Sequence, residues 1–173
     1  MPTIAQEPPA AKEPQMPRYW LLKTEPSAYS FDQLRADGTT PWTGVRNFQA
    51  RNNMMEMRAG DLALFYHSSI AEPAAVGVCK VVKEAYPDFT QFDRASEYFD
   101  GRAKEQKPIW FMVDVAYVEP LAHPVTISRM RAEPRLVGMA LLRRGQRLSV
   151  QPVMPHEWKI VLELALGSEG LRH

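Results

Sequence analysis

The sequence predicts an α+β domain, a closed mixed β-barrel of about five short strands with short peripheral helices. Two observations carry this. Short β-type runs recur along the chain with brief helical segments between them, and no strand–helix–strand alternation of the doubly wound kind is visible. At 173 residues, 45% hydrophobic and 24% charged, the chain has the size and composition of one globular domain.

Residues Met1 to Pro17 hold five prolines and few large apolar groups. They are expected to form a disordered leader, because too little surface is available for burial to offset ordering. The folded domain is expected over 18–166, with 167–173 as a tail. Tyr19-Trp20-Leu21-Leu22-Lys23 reads as the first strand, ending at Glu25-Pro26. Ser30 and Gln33 have capping-box spacing and Gly38 offers a stop, which predicts a helix over Phe31 to Ala36. A loop through Pro41-Trp42-Thr43-Gly44 follows. Asn47 then caps a helix over Phe48 to Met57, with Met54, Met55 and Met57 as core filling and Gly60 at its end.

Leu62–His67 and Ala75–Val82 read as a β-hairpin, and Tyr86 to Lys107 as a long surface excursion without periodicity. Ile109 to Val118 alternates most clearly and is expected to be the central strand. Two helical pieces near Ile127–Arg131 and Leu136–Arg143 precede a strand at Arg147–Val153. A final helix over Pro155–Leu166 carries Trp158, Val161, Leu162 and Ala165 at helical spacing.

Charge and composition narrow the function. Lys plus Arg number 21 against 20 acids, so any contact with a polyanion must be local rather than driven by a large net field. A single cysteine, Cys79, allows no internal disulfide and favours a reducing compartment, for which the cytoplasm is the expectation. No run reaches the roughly 18 apolar residues of a membrane span, and no secretory signal is recognised at the N-terminus, so no membrane partner is expected. Metal-ligand spacings, phosphate-cradling glycine loops and nucleophile elbows are missing as motifs, which leads to an expectation of no catalytic residues, no metal and no cofactor. Cys79 lies in an apolar strand and is read as core.

The informative stretch is Trp42-Thr43-Gly44-Val45-Arg46-Asn47-Phe48-Gln49-Ala50-Arg51-Asn52. It sets an aromatic, a glycine and an arginine just ahead of a helix. An indole there either covers the core or offers a stacking face to a planar base, and from the residues alone the two readings stand even. Glu25, Asn47 and Ser68 are candidates for the polar edge of such a base, although for Asn47 the helix cap is the stronger reading. Arg129, Arg131, Arg135, Arg143, Arg144 and Arg147 concentrate positive charge, read first as a solvated face and, beside an aromatic pocket, as phosphate attraction. Binding is favoured over catalysis. The alternative is an enzyme acting on a modified nucleotide, with His67, Glu25 or Asp88 transferring protons in the same cleft.

Several of these stretches together resemble the EVE domain family. They are Trp20-Leu21-Leu22-Lys23-Thr24-Glu25-Pro26, the Trp42–Asn47 run, Gln49-Ala50-Arg51-Asn52, Gly60-Asp61, Phe65-Tyr66-His67-Ser68, Tyr86-Pro87-Asp88 and Arg147-Leu148-Ser149-Val150-Gln151-Pro152-Val153. The resemblance implies a PUA-like mixed β-barrel of five to six strands, related to the YTH domains that read methylated adenine in RNA. It also implies a non-catalytic domain that binds DNA or RNA through a modified base such as methylated or hydroxymethylated cytosine, and a monomer is expected. By that likeness Trp42 becomes a pocket wall. The remaining site residues it implies are Trp20, Lys23, Glu25, Gly44, Val45, Arg46, Asn47, His67, Ser68, Tyr86, Arg147, Ser149 and Gln151.

Overall fold

The computed structural model describes residues 18–167. The proline-rich leader and all but the first residue of the expected tail lie outside that range. Strand β1 (Tyr19–Thr24) leads through a loop to α1 (Phe31–Asp37), where Ser30 and Gln33 form the anticipated capping box and Gly38 ends the helix with φ +77°. The loop expected next contains a short strand, β2 (Thr39–Pro41). Asn47 Oδ1 accepts from the Ala50 amide at 3.0 Å and so caps α2 (Phe48–Met55), which stops two residues earlier than expected. Met54 and Met57 are buried as read, but Met55 is exposed.

Strands β3 (Leu62–His67) and β4 (Ala74–Pro87) form the predicted antiparallel hairpin, with β4 running five residues further than expected. A 3₁₀ turn at Phe89–Phe92 opens the excursion, and β5 (Phe111–Thr126) follows it. Helix α3 (Ile127–Arg131) and 3₁₀ turns at Pro134–Leu136 and Ala140–Leu142 lead to β6 (Val150–Val153) and α4 (Pro155–Ala165).

The six strands lie in the order β2-β5-β4-β3-β1-β6. Two expectations are corrected by it. β5 is next to an edge and the centre is held by β4 and β3, because β5's outer neighbour β2 is only three residues long. The barrel is also not closed by hydrogen bonds, since β2 and β6 do not pair. Both edges carry prolines that donate no hydrogen bond, Pro41 and Pro152. Helix α2 spans the gap instead. Asn53 Nδ2 donates to Val150 O of β6 at 2.9 Å, and an Arg51 guanidinium N–H donates to Ile109 O, ahead of β5, at 2.9 Å.

Both faces of the sheet are covered, which explains the nearly unbroken apolar runs in its strands. Trp20, Leu22, Ala63, Phe65, Cys79 and Val81 point to the side closed by α1 and α2. Their neighbours Leu21, Leu64, Tyr66 and Val78 point to the side closed by α3, α4 and the 3₁₀ turns. β1 pairs with β3 in parallel, an arrangement the short intervening elements did not announce.

Candidate functional site

A cavity of about 740 Å³ opens where the end of β1, the β1–α1 loop, β2 and its following loop, and the excursion meet. The end of β1 brings Lys23 and Thr24 to it and the loop that follows brings Glu25, and the Lys23 amide donates to Ser149 O at 2.8 Å, which brings Ser149 alongside. The Ala28 and Tyr29 amides both donate to Glu25 O, folding the chain back so that Tyr29 faces the cavity. Trp42 lies one residue beyond β2 and is held by its amide to Val113 O at 2.8 Å.

Trp42 is 7% exposed. Its ring meets Phe65 and Tyr29 edge to face, with centroids 5.5 and 6.5 Å away, yet it also lines the cavity. Trp42 is thus a core side chain, as the first of its two readings has it, with one part bordering open space. Tyr98, on the excursion, supplies a third aromatic wall.

A buried ionic latch sets the position of Tyr98. Asp88, with 0% exposure, accepts from the Gly44 amide at 2.8 Å, from Arg46 at 3.2 Å and from the Thr90 amide at 2.8 Å. Arg46 in turn donates to Tyr98 O through Nε at 3.0 Å and through a terminal nitrogen at 2.7 Å. Gly44 has φ +84°, and a Cβ placed on it would come within 2.7 Å of the Tyr98 ring. Only glycine admits both that backbone and that approach. Deeper in the excursion, buried Gln91 donates to Asp88 O and Trp110 O and accepts from the Ile109 and Trp110 amides, closing its base.

The cavity's electrostatics are mixed. Burial lowers the pKa of Lys23. Burial raises that of Tyr98, the neighbouring Glu97 carboxylate adds to this, and the Arg46 guanidinium opposes it.

Of the site residues expected from sequence, Lys23, Glu25, Trp42, Gly44, Val45 and Ser149 line the cavity. The others are elsewhere. Trp20 is in the core, its indole N–H donating to Asp61 at 2.9 Å. Arg46 serves the latch and Asn47 the cap of α2. His67 Nε2 accepts from the Phe31 amide at 3.2 Å, at the start of α1, and burial lowers its pKa. The Ser68 amide donates to Thr24 O. Tyr86 donates to Asp114, and burial followed by that contact pushes its pKa up to about 12. Gln151 is buried and donates to Leu148 O at 2.8 Å, while Arg147 is exposed on the loop before β6. Of the three proton-transfer candidates, only Glu25 borders the cavity; His67 and Asp88 do not. Within the arginine-rich stretch, Arg135 is paired with Glu133 and Glu163 at 2.9 and 3.1 Å.

No sequence motif marks Tyr29, Glu97 or Tyr98, which also line the cavity. Tyr29 sits beside a capping box, and the other two lie in a segment without periodicity. The sequence signal for Tyr98 is indirect, through the Gly44, Arg46 and Asp88 that hold it.

The family model described as EVE domain matches residues 18–164. Thymocyte nuclear protein 1 of Homo sapiens is 39% identical over 165 residues, covering 84% of this chain and 73% of that protein. A hypothetical protein of Leishmania major superposes with TM-score 0.84 at 44% identity, covering 91% of this chain and 98% of that one. Human THYN1, in complex with DNA containing 5-methylcytosine, superposes with TM-score 0.82 at 38% identity, covering 86% and 97%. The YTH domain of Zygosaccharomyces rouxii MRB1, in complex with N6-methyladenosine RNA, has TM-score 0.52 at 15% identity over 91% and 92%, a likeness of fold. The expected cytoplasmic location is overturned by these relatives, which bear the name of a nuclear protein. Cytosol and nucleus are both reducing, so a cysteine count does not separate them. Among the described residues, no helix is long and apolar enough to cross a membrane.

Proposed function

Since the chain belongs to the EVE domain family, we propose that it is a non-catalytic reader of a modified base in nucleic acid, with 5-methylcytosine in DNA as the first ligand to test. The observation that carries this is the cavity bordered by Trp42, Tyr29 and Tyr98. Its volume lies in the range of ligand pockets and leaves room for a base with its sugar, and rings on its walls supply the stacking that each base gains, about 1–3 kcal/mol. The DNA-bound relative supports the choice of ligand. A base enters when flipped out of the helix or already unpaired, and no bond is made or broken.

Tyr98→Leu is the sharpest test. Trp42→Ala would leave a core hole costing about 3–5 kcal/mol and confound binding with folding, whereas Tyr98 is only half-buried. Tyr98→Leu is expected to weaken binding to a 5-methylcytosine oligonucleotide by about 1–3 kcal/mol with little change in melting temperature. Undiminished affinity in that variant would show that the base does not sit here. Incubation of the protein with modified nucleosides and oligonucleotides, read by mass spectrometry, is expected to return them unchanged; a product would replace the reader with an enzyme.

A further inference from the structure

A base in the cavity stays joined to its neighbours, and a strand that arrives unpaired carries their flat faces past the surface beside it. That surface is aromatic. Among the described residues, the exposed phenylalanine, tyrosine and tryptophan side chains are Phe48, Phe89 and Phe99. Each follows a member of the latch by one or two positions: Arg46, Asp88 and Tyr98. Exposed aliphatic side chains are spread instead, with Val118 on β5, Val137 after a 3₁₀ turn and Leu166 at the end of α4. Single apolar groups of that kind are ordinary surface, whereas rings gathered around one structural feature mark a contact.

Phe48 is the best fixed of the three. It opens α2, is 52% exposed, and stacks on the buried Trp110 ring with centroids 4.9 Å apart and planes inclined by 24°. The Arg51 guanidinium, one turn along α2, lies 4.9 Å from the Phe48 centroid and 6.0 Å from that of Trp110. On the outer face of Phe48 it would stand nearly twice as far from Trp110, so it sits at the margin of the stacked pair and leaves that outer face open. Bonds to Ile109 O and Asn52 Oδ1, each at 2.9 Å, hold it there, and no carboxylate of the described residues pairs with it. Trp110 also meets the Arg46 guanidinium at 5.4 Å, which lies 5.5 Å from the Tyr98 ring of the cavity wall. Exposed ring and cavity wall thus belong to one continuous set of rings and guanidinium groups.

We propose that the outer face of Phe48 is a second stacking platform, taken by an unpaired base that flanks the one in the cavity, with the Arg51 guanidinium beside it for a phosphate. A base inside a duplex has both faces covered by its neighbours, so the partner that fits is a single-stranded segment of nucleic acid. The inference rests on the cavity being a base pocket, and adds where the strand runs beyond it and that it runs unpaired.

The test is fluorescence anisotropy with the full chain and three labelled single strands of about nine nucleotides. The first carries a central 5-methylcytosine between ordinary bases. The second makes every flanking residue abasic, and the third makes only the central residue abasic. All three carry the same phosphates, so charge is held constant while stacking changes. The first strand is expected to bind on the order of tenfold more tightly than the second. Phe48→Leu is expected to lose most of that advantage and Phe48→Tyr to keep it. Both variants are expected to bind the second strand as the unaltered protein does, which reports an intact fold. Equal affinity of the unaltered protein for the first two strands overturns the platform and leaves the reader standing. A third strand that binds as tightly as the first overturns the cavity reading and leaves the platform. Phe48→Leu with the full advantage removes this ring from the account.

Discussion

The chemistry of His67 is decided by its burial and by the one hydrogen bond its ring accepts. Its Nε2 accepts from the Phe31 amide at 3.2 Å, which requires the neutral ring, and burial lowers its pKa against the opposing pull of Asp32. The unfolded chain, with a histidine value of 6.5, binds a proton that the folded chain refuses. Stability is therefore present above that value and lost as pH falls through it toward the lower folded value. Melting temperature is expected to drop between about pH 7 and pH 5, and His67→Gln is expected to flatten that part of the profile. A profile of the same steepness in the variant would mean that other groups govern it. The neighbouring reading of Cys79 holds on the same physics: the thiol is fully buried and burial pushes its pKa up to about 12, so it is core and not a nucleophile.

At the scale of elements, α1 is fastened to the sheet by a close approach that only glycine permits. The Phe31 ring lies over Gly77 of β4, where an added Cβ would meet ring carbons at 2.1 to 2.6 Å. That ring has nowhere to move, being 5% exposed and packed against Phe65 and Tyr117 at 5.1 and 5.0 Å. Gly77→Ala is accordingly expected to destabilise the protein by about 1–3 kcal/mol, measured by denaturant unfolding. A change within ~0.5 kcal/mol would show that α1 shifts freely on the sheet. The same helix was legible in sequence down to its capping box, since a cap is a local hydrogen-bond pattern. Its landing place on β4 was not.

For the whole molecule, charge and its disposition set how nucleic acid is met. The net charge is +1, and several arginines are occupied within the protein: Arg46 by Asp88 and Tyr98 O, Arg102 by Asp100, and Arg135 by Glu133 and Glu163. Arg143, Arg144 and Arg147 are exposed on the segment that leads to Ser149. Few phosphates are then neutralised, and the logarithm of affinity is expected to fall against the logarithm of salt with a slope shallower than about −3. A slope steeper than about −6, from titrations at several salt concentrations, would reveal an extended phosphate track and displace the pocket as the main contact.

Local patterns sufficed for β1, α1, β3, α3 and α4, because alternation, caps and helical spacing are written within a few residues. They also sufficed for Lys23, Glu25, Trp42, Gly44, Val45 and Ser149 at the cavity, through motifs that resemble one family. Only the tertiary structure decided that β5 stands beside an edge, that α2 spans an open sheet, and that Tyr98 completes the pocket through Arg46 and Asp88. Those facts depend on contacts between residues some forty or more positions apart, such as Arg46 with Asp88 and Asn53 with Val150. A hydrogen bond across such a distance leaves no periodicity in the chain, because each partner alone is an ordinary loop or helix residue until folding places it beside the other.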